Sequence, residues 1–264
     1  MNQWGRRSRK PELPRIVQMG HFDLRQFATP QALAETAAAD CLEAISAAQK
    51  DGTIFSLALS GGRIAQTFCA ALAALVQARK TPLDHVHFFW SDERCVPPDD
   101  PESNFRLAND RLLRPLGIAP AQIHRLEGEK PAEQSFARAE ADLRNLVSFT
   151  ATGQPILNLV LLGLGENGHV ASLFPGEPEH VMASPAIFRC VTAVKPPPRR
   201  ITMGYAAIAA AKETWVLASG SGKADALRES LRPDGHTPLA RVGQLRQCVR
   251  IYSDIPKAPS LASP

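Results

Sequence analysis

The sequence predicts an α/β fold, a three-layer, Rossmann-like domain in which helices cover both faces of a mostly parallel sheet. Three observations support this prediction. Strand and helix patterns alternate along most of the chain, an order typical of parallel sheets. The apolar run 156–162 is rich in leucine, as expected for a strand buried on both faces. Four predicted strands run into polar or glycine-rich turns, and ligands bind at that edge of a parallel sheet.

Each element has its own signal in the chain. Thr29 followed by Pro30 indicates a capped helix start, and alanine-rich sequence continues that helix to about residue 49. Further helices are predicted from the SGG turn at 60–62 to about residue 79, at 103–113, at 132–148, and from the SGSGK turn at 219–223 to about residue 231. Strands are predicted at 53–59, 86–90, 156–162, 214–218 and 249–252.

Composition indicates one enzyme-like domain. The chain has 264 residues, of which 44% are hydrophobic and 21% charged, ordinary values for a soluble enzyme. Its net charge of +4 is small and concentrated in the first ten residues, which argues against a nucleic-acid partner. We expect a disordered basic extension at 1–14, a single α/β domain at 15–255 and a disordered tail at 256–264.

Localisation follows from cysteine usage and from the lack of targeting signals. The five cysteines are scattered and odd in number, which favours reduced thiols in a cytoplasmic protein. The arginine pair near the start has no apolar segment behind it, and no run approaches transmembrane length. We therefore predict a cytoplasmic protein with no membrane partner, either a monomer or a homodimer.

The turns after the four strands read SGG at 60–62, SDER at 91–94, GLGENGH at 163–169 and SGSGK at 219–223. If the strands are parallel, all four turns lie at one edge. Glycine turns that lead into helices offer backbone N–H groups to an anion. The sequence therefore predicts a phosphate-binding pocket. Its candidate binding residues are Ser60, Gly61, Gly62, Arg63, Asp92, Gly165, Arg200 and Lys223.

His169 is the candidate acid or base, because it follows three glycines at the end of the central strand and an imidazole titrates near neutral pH. The motif at 163–168 matches G-x-G-x-x-G, but Pro175 and Pro178 prevent the long helix that a dinucleotide site requires. The other histidines have no metal-ligand spacing. We expect neither a cofactor nor a metal.

Several assignments stay open at this stage. Arg94 either binds the ligand or forms a local salt bridge with Asp92 or Glu93. Lys223 either reaches the ligand or lies on the surface. The stretch around Lys223 is not a P-loop, because Ala224 stands where Ser or Thr would hold magnesium.

Two long segments carry a resemblance to a known family. WSDERCVP at 90–97, with Ser103-Asn104, and LGLGENGHVASLFPG at 162–176 resemble the signature segments of the 6-phosphogluconolactonase family. SGG at 60–62, PPPRRIT at 196–202 and GKA at 222–224 also match, and the similarity runs from about residue 15 to 255. The chain departs from the family at Asn167, where an aspartate is usual, and at 63–65, where Ser-Thr-Pro is usual.

The resemblance implies hydrolysis of 6-phospho-D-glucono-1,5-lactone to 6-phosphogluconate in the oxidative pentose phosphate pathway. It also implies the fold of the glucosamine-6-phosphate deaminases. His169 would activate a water, with Asn167 or Glu166 tuning it, and Arg94 or turn amides would stabilise the oxyanion.

Two other functions remain as alternatives. One is an isomerase or deaminase on the same fold, against which stand Arg94, where that group has Tyr, and the sequence SLFP at 172–175, which lacks its Glu. The other is a sugar-phosphate-binding module without turnover, against which stands the absence of any recognisable output domain.

Overall fold

The computed structural model describes residues 15–256, so the predictions for 1–14 and for 257–264 lie outside the described residues. The strands are β1 (Arg15–Met19), β2 (Phe22–Gln26), β3 (Phe55–Leu59), β4 (Val86–Trp90), β5 (Asp92–Arg94), β6 (Leu159–Gly163), β7 (Phe188–Thr192), β8 (Arg199–Met203), β9 (Glu213–Ala218) and β10 (Val249–Ser253). The α-helices are α1 (Pro30–Lys50), α2 (Arg63–Arg79), α3 (Asn104–Ala108), α4 (Ala132–Leu146), α5 (Glu179–Met182), α6 (Tyr205–Ala210), α7 (Ala224–Ser230) and α8 (Pro238–Gln244). Short 3-10 turns lie at Pro120–Gln122 and Ser221–Lys223, and a π-helical turn at Asn109–Leu113 extends α3.

The predicted α/β fold is confirmed. Seven strands form one sheet in the order β1-β2-β10-β9-β6-β3-β4. Every pairing in this sheet is parallel except the antiparallel pair β1–β2. Helices flank the sheet, with α1 packed against α2 and α7 packed against α8. None of the helices between residues 15 and 256 is long and apolar enough to cross a bilayer.

The core lies along the central strands. All five residues of β3 are buried, as are the first four of β6 and the last five of β9. Trp90 and Trp215 are each 1% exposed, at the end of β4 and within β9. Burying such large apolar side chains is the main stabilisation that a sheet of this kind gains. It also fixes the positions of the four strand ends from which the polar turns begin.

The start of α1 is confirmed in detail. The Thr29 side chain accepts a hydrogen bond from the backbone N–H of Ala32, 3.1 Å, and Pro30 is the first helical residue. The central strand, however, is shorter than predicted at its start. On the β3 side, hydrogen bonds that involve side chains join Asn158 to Ser56: the Asn158 Oδ1 accepts from Ser56 N at 3.0 Å, and the Asn158 N–H donates to Ser56 Oγ at 2.9 Å.

Residues 92–94, predicted as a turn, form strand β5. It pairs antiparallel with β8, which in turn pairs with β7, giving a second sheet of three strands. The register places Arg94 opposite Arg200. The small sheet therefore brings Arg94 and Arg200, two of the candidate cations, next to each other on paired strands.

Candidate active site

A cleft of about 120 Å³ opens at the carboxyl edge of the large sheet. The strands β9, β6, β3 and β4 are neighbours in that order, so their ends meet along one edge as predicted. All the candidate residues except Asn167 line the cleft directly. The lining residues are Ser60, Gly61, Gly62, Arg63, Ile64, Asp92, Arg94, Asn104, Gly163, Leu164, Gly165, His169, Ala171, Arg200 and Lys223.

His169 is held by the glycine turn that precedes it. Gly165 donates its backbone N–H to the His169 carbonyl, 2.8 Å, and the imidazole lies directly on the Gly165 backbone. A Cβ at Gly165 would sit 2.0 Å from the ring, so only glycine allows this approach. Gly168 has φ of +81°, a conformation that residues with a side chain rarely adopt. The turn therefore specifies both the position and the plane of the imidazole.

Asn167 faces the ring. Its Oδ1 lies 2.6 Å from His169 Nδ1 and also accepts the backbone N–H of His169 at 3.3 Å. Since an amide oxygen only accepts, this contact selects the tautomer with the proton on Nδ1 and leaves Nε2 as a proton acceptor. Burial lowers the pKa of His169 below its ordinary value, and the positive charges of Arg200, Lys223 and Lys195 act in the same direction, against Asp92.

The turn at 60–62 leads directly into α2. Gly62, with φ of +99°, caps this helix, and its N-terminus has no capping hydrogen bond from a side chain within residues 15–256. Such a helix end attracts anions. Lys223 lies close by, and its pKa is lowered by burial first and then by the positive charge of Arg63. Cations are thus concentrated around exposed backbone amides.

Asp92 links three segments of the cleft. Its carboxylate is 3% exposed and accepts hydrogen bonds from Ser172 Oγ at 2.7 Å, Ser60 Oγ at 3.2 Å and Asn104 Nδ2 at 3.2 Å. The Asn104 amide in turn packs against the Gly61 backbone, where a Cβ would clash. The predicted contact of Asp92 with the substrate stays a prediction. Its hydrogen bonds join Ser60, at the start of the glycine turn 60–62, to Ser172 and Asn104.

Glu93 anchors the helix that carries Asn104. It accepts the backbone N–H groups of Asn104 at 2.8 Å and Phe105 at 2.7 Å, and the Ser103 hydroxyl at 3.0 Å. Burial raises the pKa of Glu93 to about 7, although the backbone amides favour its charged form. The negative charge of the neighbouring Asp92 also raises the pKa of Glu93.

The two arginines of the small sheet differ in their contacts. Arg94 donates to the Glu102 carbonyl at 2.6 Å and lies 3.4 Å from the Glu102 carboxylate, so its local ion pair is with Glu102 and not with Asp92 or Glu93. Its Nε is buried without a hydrogen-bond partner among the described residues. Arg200 is 8% exposed and its guanidinium lies 5.7 Å from the centre of the Phe174 ring. Burial and the charge of Arg94 lower its pKa.

Sequence reasoning gave no role to Ser172 or Ala171. Ser172 bonds to Asp92, and Ala171 lines the cleft with φ of +49°. A serine and an alanine in a signature segment carry no chemical signal of their own. Glu166, the alternative partner of His169, instead lies 3.7 Å from Lys195 Nζ. Within residues 15–256 no three His, Cys, Asp or Glu side chains are grouped as a metal site would require.

Comparison with known proteins gives the same assignment for most of the chain. Residues 28–251 match the family model described as glucosamine-6-phosphate isomerases/6-phosphogluconolactonase. The chain belongs to this family. It is 32% identical over 217 residues to the 6-phosphogluconolactonase of Streptomyces coelicolor, covering 80% of this chain and 83% of that protein. It is 33% identical over 225 residues to a probable chloroplastic 6-phosphogluconolactonase of Oryza sativa, covering 79% of this chain and 67% of that protein.

Solved structures agree with the fold assignment. The 6-phosphogluconolactonase of Trypanosoma brucei superposes with a TM-score of 0.76 at 26% identity, covering 87% of this chain and 95% of that one. A structure described as devB protein superposes with a TM-score of 0.77 at 27% identity, covering 88% and 95%. The structural likeness therefore covers nearly nine-tenths of this chain.

Proposed function

We propose that the protein hydrolyses 6-phospho-D-glucono-1,5-lactone to 6-phosphogluconate, the lactonase step of the oxidative pentose phosphate pathway. The observation that carries the proposal is one half-buried, oriented imidazole in a cleft whose other charged groups are mainly cations. We place the enzyme in the cytoplasm, as a monomer or a homodimer. All five cysteines lie within the described residues as free thiols, which is typical of that compartment.

The 6-phosphate would bind at the start of α2. The backbone amides of Gly61 and Gly62 and the helix N-terminus attract an anion there, and Arg63, Arg200 and Lys223 line the same cleft. Burial lowers the pKa of Lys223 first, and the nearby positive charge of Arg63 lowers it further. A bound anion would offset both of these unfavourable effects. Binding at this end orients the lactone carbonyl toward His169.

Hydrolysis then requires one proton acceptor. His169 Nε2 takes a proton from water as the water oxygen bonds to C1, and it returns the proton to the ring oxygen when the bond between C1 and that oxygen breaks. Asn167 holds the tautomer that this step needs. Arg94 or the backbone amides of the turns would stabilise the oxyanion at C1.

The test is lactone hydrolysis followed by proton release, with the spontaneous rate subtracted. We expect kcat/KM for the phosphorylated lactone to exceed that for glucono-1,5-lactone by at least about 100-fold. Only the phosphorylated lactone carries a phosphate for the cations at the start of α2. Comparable values would overturn the proposal. Glucosamine 6-phosphate serves as the counter-substrate, since ammonia release from it would assign the deaminase chemistry of the same family instead.

A further inference from the structure

The segment that joins β7 to β8, residues 193–198, lies beside the cleft and is here named the strap. A hydrogen bond of 2.7 Å from Ala193 N to the Pro198 carbonyl closes its base. Arg200, which lines the cleft, donates to the Pro197 carbonyl at 3.2 Å and to the Lys195 carbonyl at 3.4 Å. A side chain that lines the cleft, that of Arg200, therefore holds the backbone of Lys195 in place.

The Lys195 side chain meets the turn after β6. Its Nζ lies 3.7 Å from Glu166 Oε2, and the two side chains are 83% and 67% exposed. So exposed a pair contributes little to stability, and the four-carbon stem of lysine lets Nζ change partner easily. The Glu166 carboxylate also lies beside Gly222 in the turn after β9. Glu166 thus stands at the mouth of the cleft between the strap and that turn.

The resting partner of Lys195 lies next to the imidazole in sequence. Glu166 directly precedes Asn167, whose Oδ1 lies 2.6 Å from His169 Nδ1. Lys195 is also, after Arg200 and Lys223, one of the positive charges that lower the pKa of His169 in addition to burial. At the His169 end the substrate carries a neutral ester, and hydrolysis converts it into a carboxylate. A second anionic group thus appears beside His169, away from the phosphate.

We propose that Lys195 binds the C1 oxygens as the lactone opens, and that Glu166 is its resting partner, which competes with the new carboxylate. This inference rests on the proposed function. Lys195 is then a specificity-determining residue for the lactone end, distinct from the residues that bind phosphate. Removing Lys195 and removing the charge of Glu166 must have opposite effects on the carboxylate-bearing product.

The test compares two competitive inhibitors, 6-phosphogluconate and glucitol 6-phosphate, which has a hydroxymethyl group in place of the carboxylate. We expect Lys195→Met to weaken inhibition by 6-phosphogluconate about five- to tenfold, the range for one partly exposed charge-assisted contact. Inhibition by glucitol 6-phosphate should change less than about twofold. Glu166→Gln should strengthen inhibition by 6-phosphogluconate about two- to threefold.

Arg199→Met is the matched control, because it removes one positive charge from an exposed residue at the end of the strap that does not line the cleft. It should leave both inhibition constants within about twofold. If Lys195→Met weakens inhibition by the two compounds equally, Lys195 does not bind the carboxylate. The same conclusion follows if Glu166→Gln weakens inhibition by 6-phosphogluconate. Failure of the wild-type protein to hydrolyse the lactone at all would instead overturn the proposed function.

Discussion

The two edges of the large sheet both present cavities with cationic side chains, yet their charges are arranged differently. The cavity at the amino edge, about 500 Å³, is the larger one and opens between the starts of β9 and β10. There Arg246 donates to the carbonyls of Ala209 at 2.8 Å, Ala211 at 2.7 Å and Lys212 at 3.1 Å. Arg250 lies 3.3 Å from the Glu213 carboxylate and 4.9 Å from the centre of the Trp215 ring.

At the carboxyl edge the cations face one another instead. Arg94 lowers the pKa of Arg200, and Arg63 lowers that of Lys223, in both cases after burial. Like charges held together in a partly buried cleft are unfavourable until an anion joins them. The comparison teaches that the size of a cavity and the number of its cations are poor guides to a binding site. The better guide is whether a cation is held by carbonyl and carboxylate oxygens, as Arg246 and Arg250 are, or lies close to another cation, as Lys223 does beside Arg63.

The largest effect should come from His169→Ala, which removes the proton acceptor. We expect kcat to fall by about 10² to 10⁴, the usual contribution of general-base catalysis, while 6-phosphogluconate binding, measured by calorimetry, stays largely intact. Retention of more than roughly a tenth of kcat would transfer the base role to another group. EDTA should leave the wild-type rate unchanged, since hydrolysis here needs only a proton acceptor.

The second prediction compares one lysine from each edge. Lys223→Met should lower kcat/KM for the phosphorylated lactone about 10- to 100-fold, because it removes a charge-assisted contact to phosphate. Lys212→Met removes the same charge at the amino edge and should leave kcat/KM within about twofold. Equal losses in the two variants would mean that Lys223 acts only through the net charge of the protein.

The third prediction concerns stability at the amino edge. Arg246→Met should lower the free energy of unfolding by about 2 kcal/mol, because the carbonyls at and just after the end of α6 lose their half-buried donor. Urea denaturation measures this change. The lactonase rate per folded molecule should stay at the wild-type value, and a loss of rate without a loss of stability would mean that the amino edge takes part in the reaction.

The smallest expected effect is a shift in pH dependence. Burial lowers the pKa of His169, so the wild-type base stays neutral through neutral pH and the acidic limb of kcat/KM lies below the ordinary value of about 6.5. Asn167→Asp places a carboxylate beside His169 Nδ1, which favours the imidazolium and should move this limb to higher pH by about 0.5 to 1.5 units.

Glu166→Gln is the control for that shift, because the Glu166 carboxylate faces Lys195 and not the imidazole. It should leave the acidic limb nearly unchanged. A profile in which Asn167→Asp leaves the limb in place would remove Asn167 as the group that tunes His169.

Much of this molecule follows from local sequence. Thr29 and Pro30 mark the start of α1 because capping depends on the residue itself and its next few neighbours. The glycines at 163, 165 and 168 mark the turn that positions His169. Gly165 allows the close approach of the ring and Gly168 adopts a positive φ, and both need glycine. The alternation of strands and helices was enough to place four turns at one edge of the sheet. These features depend on residues close together in the chain.

Other features depend on partners distant in sequence, and only the tertiary structure decided them. Strand β5 exists because residues 92–94 meet β8 more than 100 positions later, and a short polar segment carries no periodicity that would reveal it. Asp92 accepts from Ser172, 80 residues away. Lys195 reaches Glu166 only because the strap returns to the turn after β6. Hydrogen bonds and ion pairs act over a few ångströms of space whatever the distance along the chain, so residue type alone does not reveal which groups meet.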